Sequence, residues 1–183
     1  DHISDLLFVT EESGVINLMK EGISKDKVHF VGNVMTDTLL QNKDKADDSD
    51  ILFELDLDGC EYGLITLHRP SNVDNEEKIH NILDAFYEIQ KEIALVFPAH
   101  PRVYDIIEKW QLNYKSDDLL NSLIIPPVGY LDFLNLMNES QFVITDSGGI
   151  QEETTILGKS SLTIRDNTER PVALTEGTNR LVP

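Results

Sequence analysis

The stretch VITDSGGIQEETTILGK, residues 143–159, joins a β-branched run to an amphipathic segment. Ser147, Gly148 and Gly149 stand at the junction, and Gly158 follows the segment at the position of a helix C-cap glycine. This order of residues predicts a strand, a tight turn and then a helix. Glycines let the backbone adopt unusual dihedral angles and let a ligand approach the main chain, and the start of a helix offers free N–H groups to an anion. The alternative is a plain turn in which Ser147 only caps the helix.

Strand and helix signals alternate along the rest of the chain. Apolar runs predict strands at residues 6–10, 28–32, 62–68, 93–100, 122–127, 142–147 and 161–165. Helical spacing of apolar residues predicts helices at 75–92, 103–110, 130–138 and 150–157, and Pro171 can begin a last helix. Because most of these strands are apolar almost throughout, they fit a parallel sheet that is buried on both faces. The predicted fold class is therefore α/β, with a doubly wound parallel sheet.

The bulk composition excludes several classes of function. The 183 residues carry a formal net charge of −18, which argues against a nucleic acid partner or an anionic membrane surface. The single cysteine, Cys60, cannot form an internal disulfide or a cysteine metal site, and it fits a reducing, cytoplasmic location. No residues have metal-ligand spacing, no apolar run is long enough to cross a bilayer, and no secretory signal pattern is present. The chain starts at Asp1 rather than at methionine, so we expect part of the working protein to be missing.

Polar and cationic residues follow the predicted strands, at the edge where open α/β sheets bind ligands. They are His68, Arg69, His100, Arg102, Ser147, Gly148, Gly149 and Arg165. Beside Arg69, His68 can hold a phosphate or act as a general acid or base, or it can be purely structural. His100 lies close to two prolines, which favours a role in a rigid turn. Arg170 can direct its guanidinium at an anion, or it can form a surface ion pair with Glu169.

Two glutamates follow the glycines, where a carboxylate would repel a phosphate. Near a helix N-terminus, Glu152 and Glu153 can simply favour the helix dipole, by roughly 0.3–1 kcal/mol. The conflict with a phosphate disappears if one glutamate points past the phosphate to a pair of hydroxyls, as acidic residues do with ribose in dinucleotide folds. The residue types therefore suit a nucleotide better than a bare phosphate.

The motifs HRPSN, PAHPR, DSGGIQEE, LGK and RDNTERP begin at residues 68, 98, 146, 157 and 165. In this order and spacing they resemble the non-hydrolysing UDP-N-acetylglucosamine 2-epimerases, and the likeness covers essentially the whole chain. The resemblance implies two Rossmann-like domains in the GT-B arrangement, with the nucleotide sugar between them. This chain would be the C-terminal half, a single Rossmann-like UDP-binding domain over residues 1–183. In it, residues 1–32 would adjoin the missing N-terminal domain, and residues 62–183 would form the nucleotide-binding core.

The resemblance also implies a reaction and a set of residue roles. The family interconverts UDP-GlcNAc and UDP-ManNAc by eliminating UDP across C1–C2 and adding it back with the opposite C2 stereochemistry, without a cofactor. His68 would be the catalytic histidine, near the departing phosphate. The implied substrate-binding residues are Ser147, Gly148 and Gly149 for the diphosphate, Glu153 for the ribose, Arg170 for the nucleotide or its phosphates, and Val128 and Phe133 for the uracil. Arg69 and His100 match positions near a second, activating UDP-GlcNAc site of some bacterial members.

For the full-length protein the resemblance implies a homodimer and a role in making cell-surface polysaccharide. Because C2 deprotonation needs a base and none is evident among the matched residues, we expect this chain to bind UDP without turning over. Ser71 replaces the glutamate that usually precedes Asn72 in the family, which bears on the activator site and on the choice of sugar. UDP-GlcNAc and diacetamido sugars are both open. Other open functions are a GT-B glycosyltransferase, a hydrolysing epimerase and a non-catalytic nucleotide-binding module.

Overall fold

The computed structural model of the chain describes residues 1–101, 103, 105, 106 and 122–183. The chain divides into two units, Asp1–Gln41 and Asn42–Pro183. Each unit contains its own parallel sheet. The helix α2, Val34–Asp47, begins in the first unit and ends in the second.

The first unit is built on two short parallel strands. Strand β1 is Leu7–Val9 and strand β2 is Val28–Phe30, and they are joined by helix α1, Glu12–Lys20, and a 3₁₀ turn at Lys25–Lys27. A Cβ atom at Gly14 in α1 would lie 2.7 Å from Val9 Cγ1. This close approach explains why a residue without a side chain stands there. Both strands predicted for this region, at residues 6–10 and 28–32, are confirmed.

The second unit carries a six-stranded parallel sheet with the order β5-β4-β3-β6-β7-β8. The strands are β3 Tyr62–Thr66, β4 Ala94–Pro98, β5 Ser122–Ile125, β6 Phe142–Thr145, β7 Ser160–Thr163 and β8 Asn179–Leu181. The chain runs outward from β3 to β5, returns to pair β6 with β3, and runs outward again to β8. The doubly wound parallel sheet predicted from the sequence is confirmed. Its topological switch point, where such sheets bind ligands, lies between β3 and β6.

Six further helices of the described residues precede, connect or follow the core strands of the second unit. They are α3 Ile51–Glu54, α4 Pro70–Val73, α5 Glu76–Ile89, α6 Tyr130–Glu139, α7 Gly148–Leu157 and α8 Pro171–Thr175. The predicted helices at residues 75–92, 130–138 and 150–157 are confirmed, and Pro171 is the first residue of α8. Most of the helix predicted at 103–110 lies outside the described residues. No helix in the part of the chain that the structure describes is long and apolar enough to cross a membrane.

Helix α5 shows how the sequence determines the packing on the sheet. Asn75 caps its first turn by accepting a hydrogen bond from Lys78 N at 3.0 Å. Apolar residues at helical spacing then bury one face, which includes Leu83 and Phe86. Phe86 meets Phe97 of β4 edge to face, with the ring centroids 6.5 Å apart. Burial of each such side chain contributes roughly 1.5–3 kcal/mol, so this face fixes α5 against the sheet.

Strand β8 was not predicted from the sequence. Two of its three residues, Asn179 and Arg180, are polar, so no apolar run marks it. Asn179 is nevertheless buried, because its side chain donates hydrogen bonds to Gln151 O at 2.8 Å and Thr155 Oγ1 at 3.0 Å. Side-chain hydrogen bonds to α7 therefore hold this edge of the sheet in place of apolar packing.

Candidate functional site

The glycine pair lies inside the first turn of α7, at the carboxyl end of β6. We expected these glycines to take unusual dihedral angles, but Gly148 and Gly149 are helical and neither has a positive φ. Their missing side chains instead leave open space: a Cβ atom at Gly148 would have its nearest neighbour, Glu169 Oε2, at 3.8 Å. Ser147 occupies the N-cap position, but its side chain makes no capping hydrogen bond. The plain capping role considered for Ser147 is therefore wrong. First-turn amides have no partner within their own helix, so they remain available to an anion.

Asp146 organises the residues around this turn. It is fully buried at the end of β6, and it accepts hydrogen bonds from Arg69 N at 2.9 Å and from Asn72 Nδ2 and His68 N at 3.2 Å. His68 Nδ1 lies 3.1 Å from Asp146 Oδ1. Arg69 Nε also donates to the main-chain oxygen of Asp146 at 2.7 Å. We name Asp146, His68, Arg69 and Asn72 the Asp146 network. Through it, the predicted catalytic histidine is fixed beside the start of α7.

The segment after β7 places further charges next to Gly148. Arg165 makes a two-pronged contact with Glu169, at 2.6 and 2.8 Å, and Arg69 Nη2 lies 3.9 Å from the same carboxylate. The hydrogen bonds from Arg165 lower the pKa of Glu169 to about 2. Because Glu169 pairs with Arg165, the surface ion pair considered between Glu169 and Arg170 is wrong.

Arg170 pairs instead with Glu152 of α7. The two atoms Arg170 Nε and Glu152 Oε1 are 2.9 Å apart, although the N–H group is not oriented to make a hydrogen bond. Thr168 holds the same loop, because its hydroxyl accepts from Arg170 N at 3.0 Å and donates to Gln151 Oε1 at 2.6 Å. Gln151 is completely buried, so the loop that carries Arg170 is attached to the core side of α7.

Glu153 lies on the side of α7 that faces the beginning of α6. Glu153 is only 5% exposed, and its carboxylate accepts a hydrogen bond from Tyr130 Oη at 3.2 Å. Burial raises the pKa of the Glu153 carboxyl. Burial also raises the pKa of Tyr130 to about 12, and the charge of Glu153 adds to this effect. Since Tyr130 is the first residue of a helix that follows β5, Glu153 stays at the carboxyl edge of the sheet.

The predicted uracil residues flank Tyr130. Val128 and Phe133 are both half-buried, and Phe133 N donates to Gly129 O at 2.9 Å in the first turn of α6. The contact between Tyr130 and Glu153 therefore brings the predicted uracil segment towards the predicted ribose residue.

The predicted activator residues are not equivalent in the structure. Arg69 belongs to the Asp146 network, whereas His100 follows β4, which is separated from β6 by β3. Arg102 lies outside the described residues. A cavity of about 400 Å³ opens beside the network and is lined by Arg69, Asn72, Lys78, Arg165 and Asp166, among others. It contains none of the predicted nucleotide-binding residues, which instead lie around the first turn of α7.

Sequence reasoning missed several residues of this site. Asp146 directly precedes the glycine turn, and Asn72 stands in the HRPSN motif, so both were quoted without a role. Gln151 and Thr168 were also within quoted motifs. The position of Asp146 directly after an apolar strand was an available signal, whereas nothing in the pattern around Gln151 indicates its burial. In the described part of the chain, no group of three or more histidine, cysteine, aspartate or glutamate residues could hold a metal ion.

The sheet order, the switch point and the Asp146 network together define a doubly wound α/β domain with polar and charged residues at the carboxyl edge of its sheet. Comparison with known proteins makes the assignment more specific, because a family model described as UDP-N-acetylglucosamine 2-epimerase matches residues 1–183. The chain therefore belongs to this family, as the motifs indicated.

Individual relatives agree with this assignment. The chain is 41% identical over 187 residues to the UDP-N-acetylglucosamine 2-epimerase of Methanocaldococcus jannaschii, covering 100% of this chain and 51% of that protein. It is 37% identical to the UDP-2,3-diacetamido-2,3-dideoxy-D-glucuronate 2-epimerase of Pseudomonas aeruginosa, covering 100% of this chain and 49% of the relative. A crystal structure of the M. jannaschii enzyme in complex with UDP-GlcNAc and UDP superposes with a TM-score of 0.90 at 40% identity, over 100% of this chain and 51% of that one. The chain thus spans about half the length of the relatives it matches.

Proposed function

We propose that the protein containing this chain interconverts UDP-N-acetylglucosamine and UDP-N-acetylmannosamine, and that the chain supplies the UDP-binding half of the site. The observation that carries the proposal is the carboxyl edge at β3 and β6. There, the open first turn of α7 lies beside a histidine that a buried carboxylate holds in place. The M. jannaschii relative, crystallised with UDP-GlcNAc and UDP, supports the choice of ligand.

The diphosphate is assigned to the first turn of α7. Main-chain amides at Gly148 and Gly149 would donate to its oxygens, where the helix dipole also favours an anion. The amide of Ser147 would have to exchange its present hydrogen bond to Thr145 Oγ1, at 3.0 Å, to join them. The chain as a whole carries a charge of −18, so this attraction has to be local. Arg170, in the loop attached to Gln151, would add a positive charge that its ion pair with Glu152 partly offsets.

The nucleoside is assigned to the side of α7 that faces α6. Glu153 would accept hydrogen bonds from the two ribose hydroxyls, since an ionised carboxylate offers only acceptors. Tyr130 already donates to one of its oxygens, and this contact orients the carboxylate. The uracil would then lie against Phe133 and the backbone at Val128, both of which are half-buried in the adjoining segment.

In the proposed reaction, a base removes the proton at C2, the C1–O bond breaks, and UDP departs with the bonding electrons. Addition of UDP to C1 and return of a proton to the other face of C2 give the epimer. His68 would contact the departing phosphate. The base is assigned to a part of the protein outside this chain, so we propose that the chain alone binds UDP and does not turn over.

Two measurements test the proposal. Isothermal titration of this chain with UDP is expected to show binding at millimolar concentration or tighter, and absence of any heat of binding there would refute the UDP assignment. The complete open reading frame is then incubated with UDP-GlcNAc in deuterated water and followed by NMR. Deuterium at C2, together with UDP-ManNAc, supports the epimerase. Free ManNAc with UDP would reveal a hydrolysing enzyme, and transfer to an acceptor sugar would reveal a glycosyltransferase.

A further inference from the structure

We propose that Asp146 is a positioning residue that holds neutral His68 in a single tautomer, with the proton on Nδ1 and with Nε2 as the ring nitrogen that faces the ligand. The inference rests on the proposed function only in assigning His68 to the reacting site. The geometry that carries it is independent of that assignment.

The Asp146 carboxylate contacts four nitrogen atoms, three of which donate hydrogen bonds to it. Oδ1 lies within 3.2 Å of His68 N and 3.1 Å from His68 Nδ1, while Oδ2 accepts from Arg69 N and Asn72 Nδ2. Each of these contacts joins a nitrogen to a carboxylate oxygen, which only accepts hydrogen bonds when ionised. Because a lone pair on Nδ1 would be repelled by the carboxylate oxygen at 3.1 Å, this contact favours the form of the imidazole that carries a proton on Nδ1.

Neighbouring main-chain and side-chain groups hold the Asp146 carboxylate in place. Asp146 is 0% exposed, and its main-chain N–H donates to Thr66 O of β3 at 3.3 Å. Asn72, which donates to the carboxylate, also donates to Ile164 O at 3.0 Å and so connects it to the segment after β7. Arg69 Nε donates to Asp146 O. Main chain on three strand ends thus fixes the acceptor before any ligand arrives.

The imidazole ring of His68 extends from Asp146 towards solvent. The His68 side chain is 49% exposed although its Nδ1 contacts a fully buried carboxylate. Nε2 lies across the ring from Nδ1, so it faces away from Asp146 and towards the exposed edge. With Nδ1 directed at Asp146, Nε2 of a neutral His68 is free to take up a proton and then donate it to the departing phosphate.

The variant Asp146→Asn tests this arrangement because it keeps the shape and changes one acceptor into a donor. An asparagine oxygen in the Oδ2 position preserves the bonds from Arg69 N and Asn72 Nδ2. Its NH₂ group then faces His68 Nδ1, which must become the acceptor. The expected result is a switch of neutral His68 to the Nε2–H tautomer.

The experiment uses the complete polypeptide encoded by the reading frame, labelled with ¹⁵N at histidine. Long-range ¹H–¹⁵N spectra distinguish the two tautomers, and the His68→Gln variant identifies the His68 signals among those of all the histidines, five of which lie in this chain. Asn72→Ala is the matched control, because it removes another donor to Asp146 without touching the imidazole. It is expected to leave the tautomer unchanged.

Wild-type protein in the Nδ1–H form and Asp146→Asn in the Nε2–H form support the proposal. Together with the change of tautomer, Asp146→Asn is expected to lower kcat by about 100-fold while UDP affinity stays unchanged. This decrease is the size of a typical general acid–base contribution to catalysis. Wild-type His68 in the Nε2–H form overturns the proposal, as does a folded Asp146→Asn protein that keeps the Nδ1–H form. If that variant does not fold, the wild-type spectrum alone decides. A wild-type Nδ1–H signal in a protein that neither binds UDP nor epimerises would refute the proposed function and leave the Asp146 contact standing.

Discussion

Substitution of Gly148 by alanine separates the stability of α7 from its proposed use as an anion site. The new methyl group would meet nothing nearer than 3.8 Å in the protein, so the fold has room for it. Because Gly148 is already helical, alanine changes the free energy of unfolding by no more than about 1 kcal/mol, and in the stabilising direction. For a chain of this length, that corresponds to an increase in Tm of about 2–4 °C at most.

The same methyl group is expected to weaken the binding of UDP. A phosphate oxygen must approach a first-turn amide nitrogen to about 2.9 Å, whereas a carbon contact needs roughly 3.5 Å. Loss of one hydrogen bond to a charged group costs about 1.5–3 kcal/mol, which is a decrease in affinity of roughly 10- to 100-fold. Isothermal titration with UDP measures this change, and circular dichroism confirms that the variant is folded.

Gly158→Ala is the matched control, since it makes the same chemical change at the other end of α7. Gly158 has a φ of 69°, so alanine there is strained and is expected to lower Tm. UDP affinity should not change at a temperature where this variant is folded. If Gly148→Ala binds UDP as tightly as the wild type, the diphosphate does not lie on this turn and the site has been assigned wrongly.

Four further predictions concern three side chains. Glu153→Gln should reduce the preference for UDP over its 2′-deoxyribose analogue in titration calorimetry; an unchanged preference would remove the ribose role. Burial raises the pKa of Glu153 above its usual 4.5, so the folded protein loses stability as the pH rises from 4.5 through the folded-state pKa and Glu153 ionises. Glu153→Gln should therefore be more stable than wild type at pH 7, but not near pH 4. Pairing with Arg165 lowers the pKa of Glu169 to about 2, so the stability that Glu169 contributes is present above pH 4.5 and is lost as the pH falls towards 2. Glu169→Gln should therefore have a lower Tm than wild type at pH 7. An unchanged Tm at neutral pH would contradict the pairing with Arg165. Leu83→Ala should reduce the free energy of unfolding by about 2–5 kcal/mol in urea, because Leu83 is 3% exposed in the core, and a loss below 1 kcal/mol would contradict that packing.

Strands that are buried on both faces were predictable from the sequence, because burial requires apolar residues at successive positions. Residues 62–66 and 142–145 illustrate this, and both pair in the centre of the sheet. The edge strand β8 was not predictable, since hydrogen bonds from Asn179 replace apolar packing there. The start of α7 was placed two residues late, because glycine is a poor helix former by propensity and yet Gly148 fits the open first turn.

The site was predictable at the level of motifs and not at the level of contacts. Position relative to strand ends identified His68 and the glycine turn. The pairing of His68 with Asp146 depends on β3 and β6 being neighbours, and no pattern within either motif specifies which strands are adjacent. Glu169 could pair with either nearby arginine, and only the geometry of the loop selects Arg165 over Arg170.

His68 and Asp146 are 78 positions apart in the chain, and strands β4, β5 and β6 lie between them. Their contact can form only after the chain between them has folded back to bring the two residues together. Such non-local pairing is slow because the chain loses conformational entropy before the new contact provides any stabilisation. Competence to engage nucleotide should therefore arise late during refolding, with the slowest kinetic phase. A partly folded chain that has formed only its local helices would not bind the nucleotide.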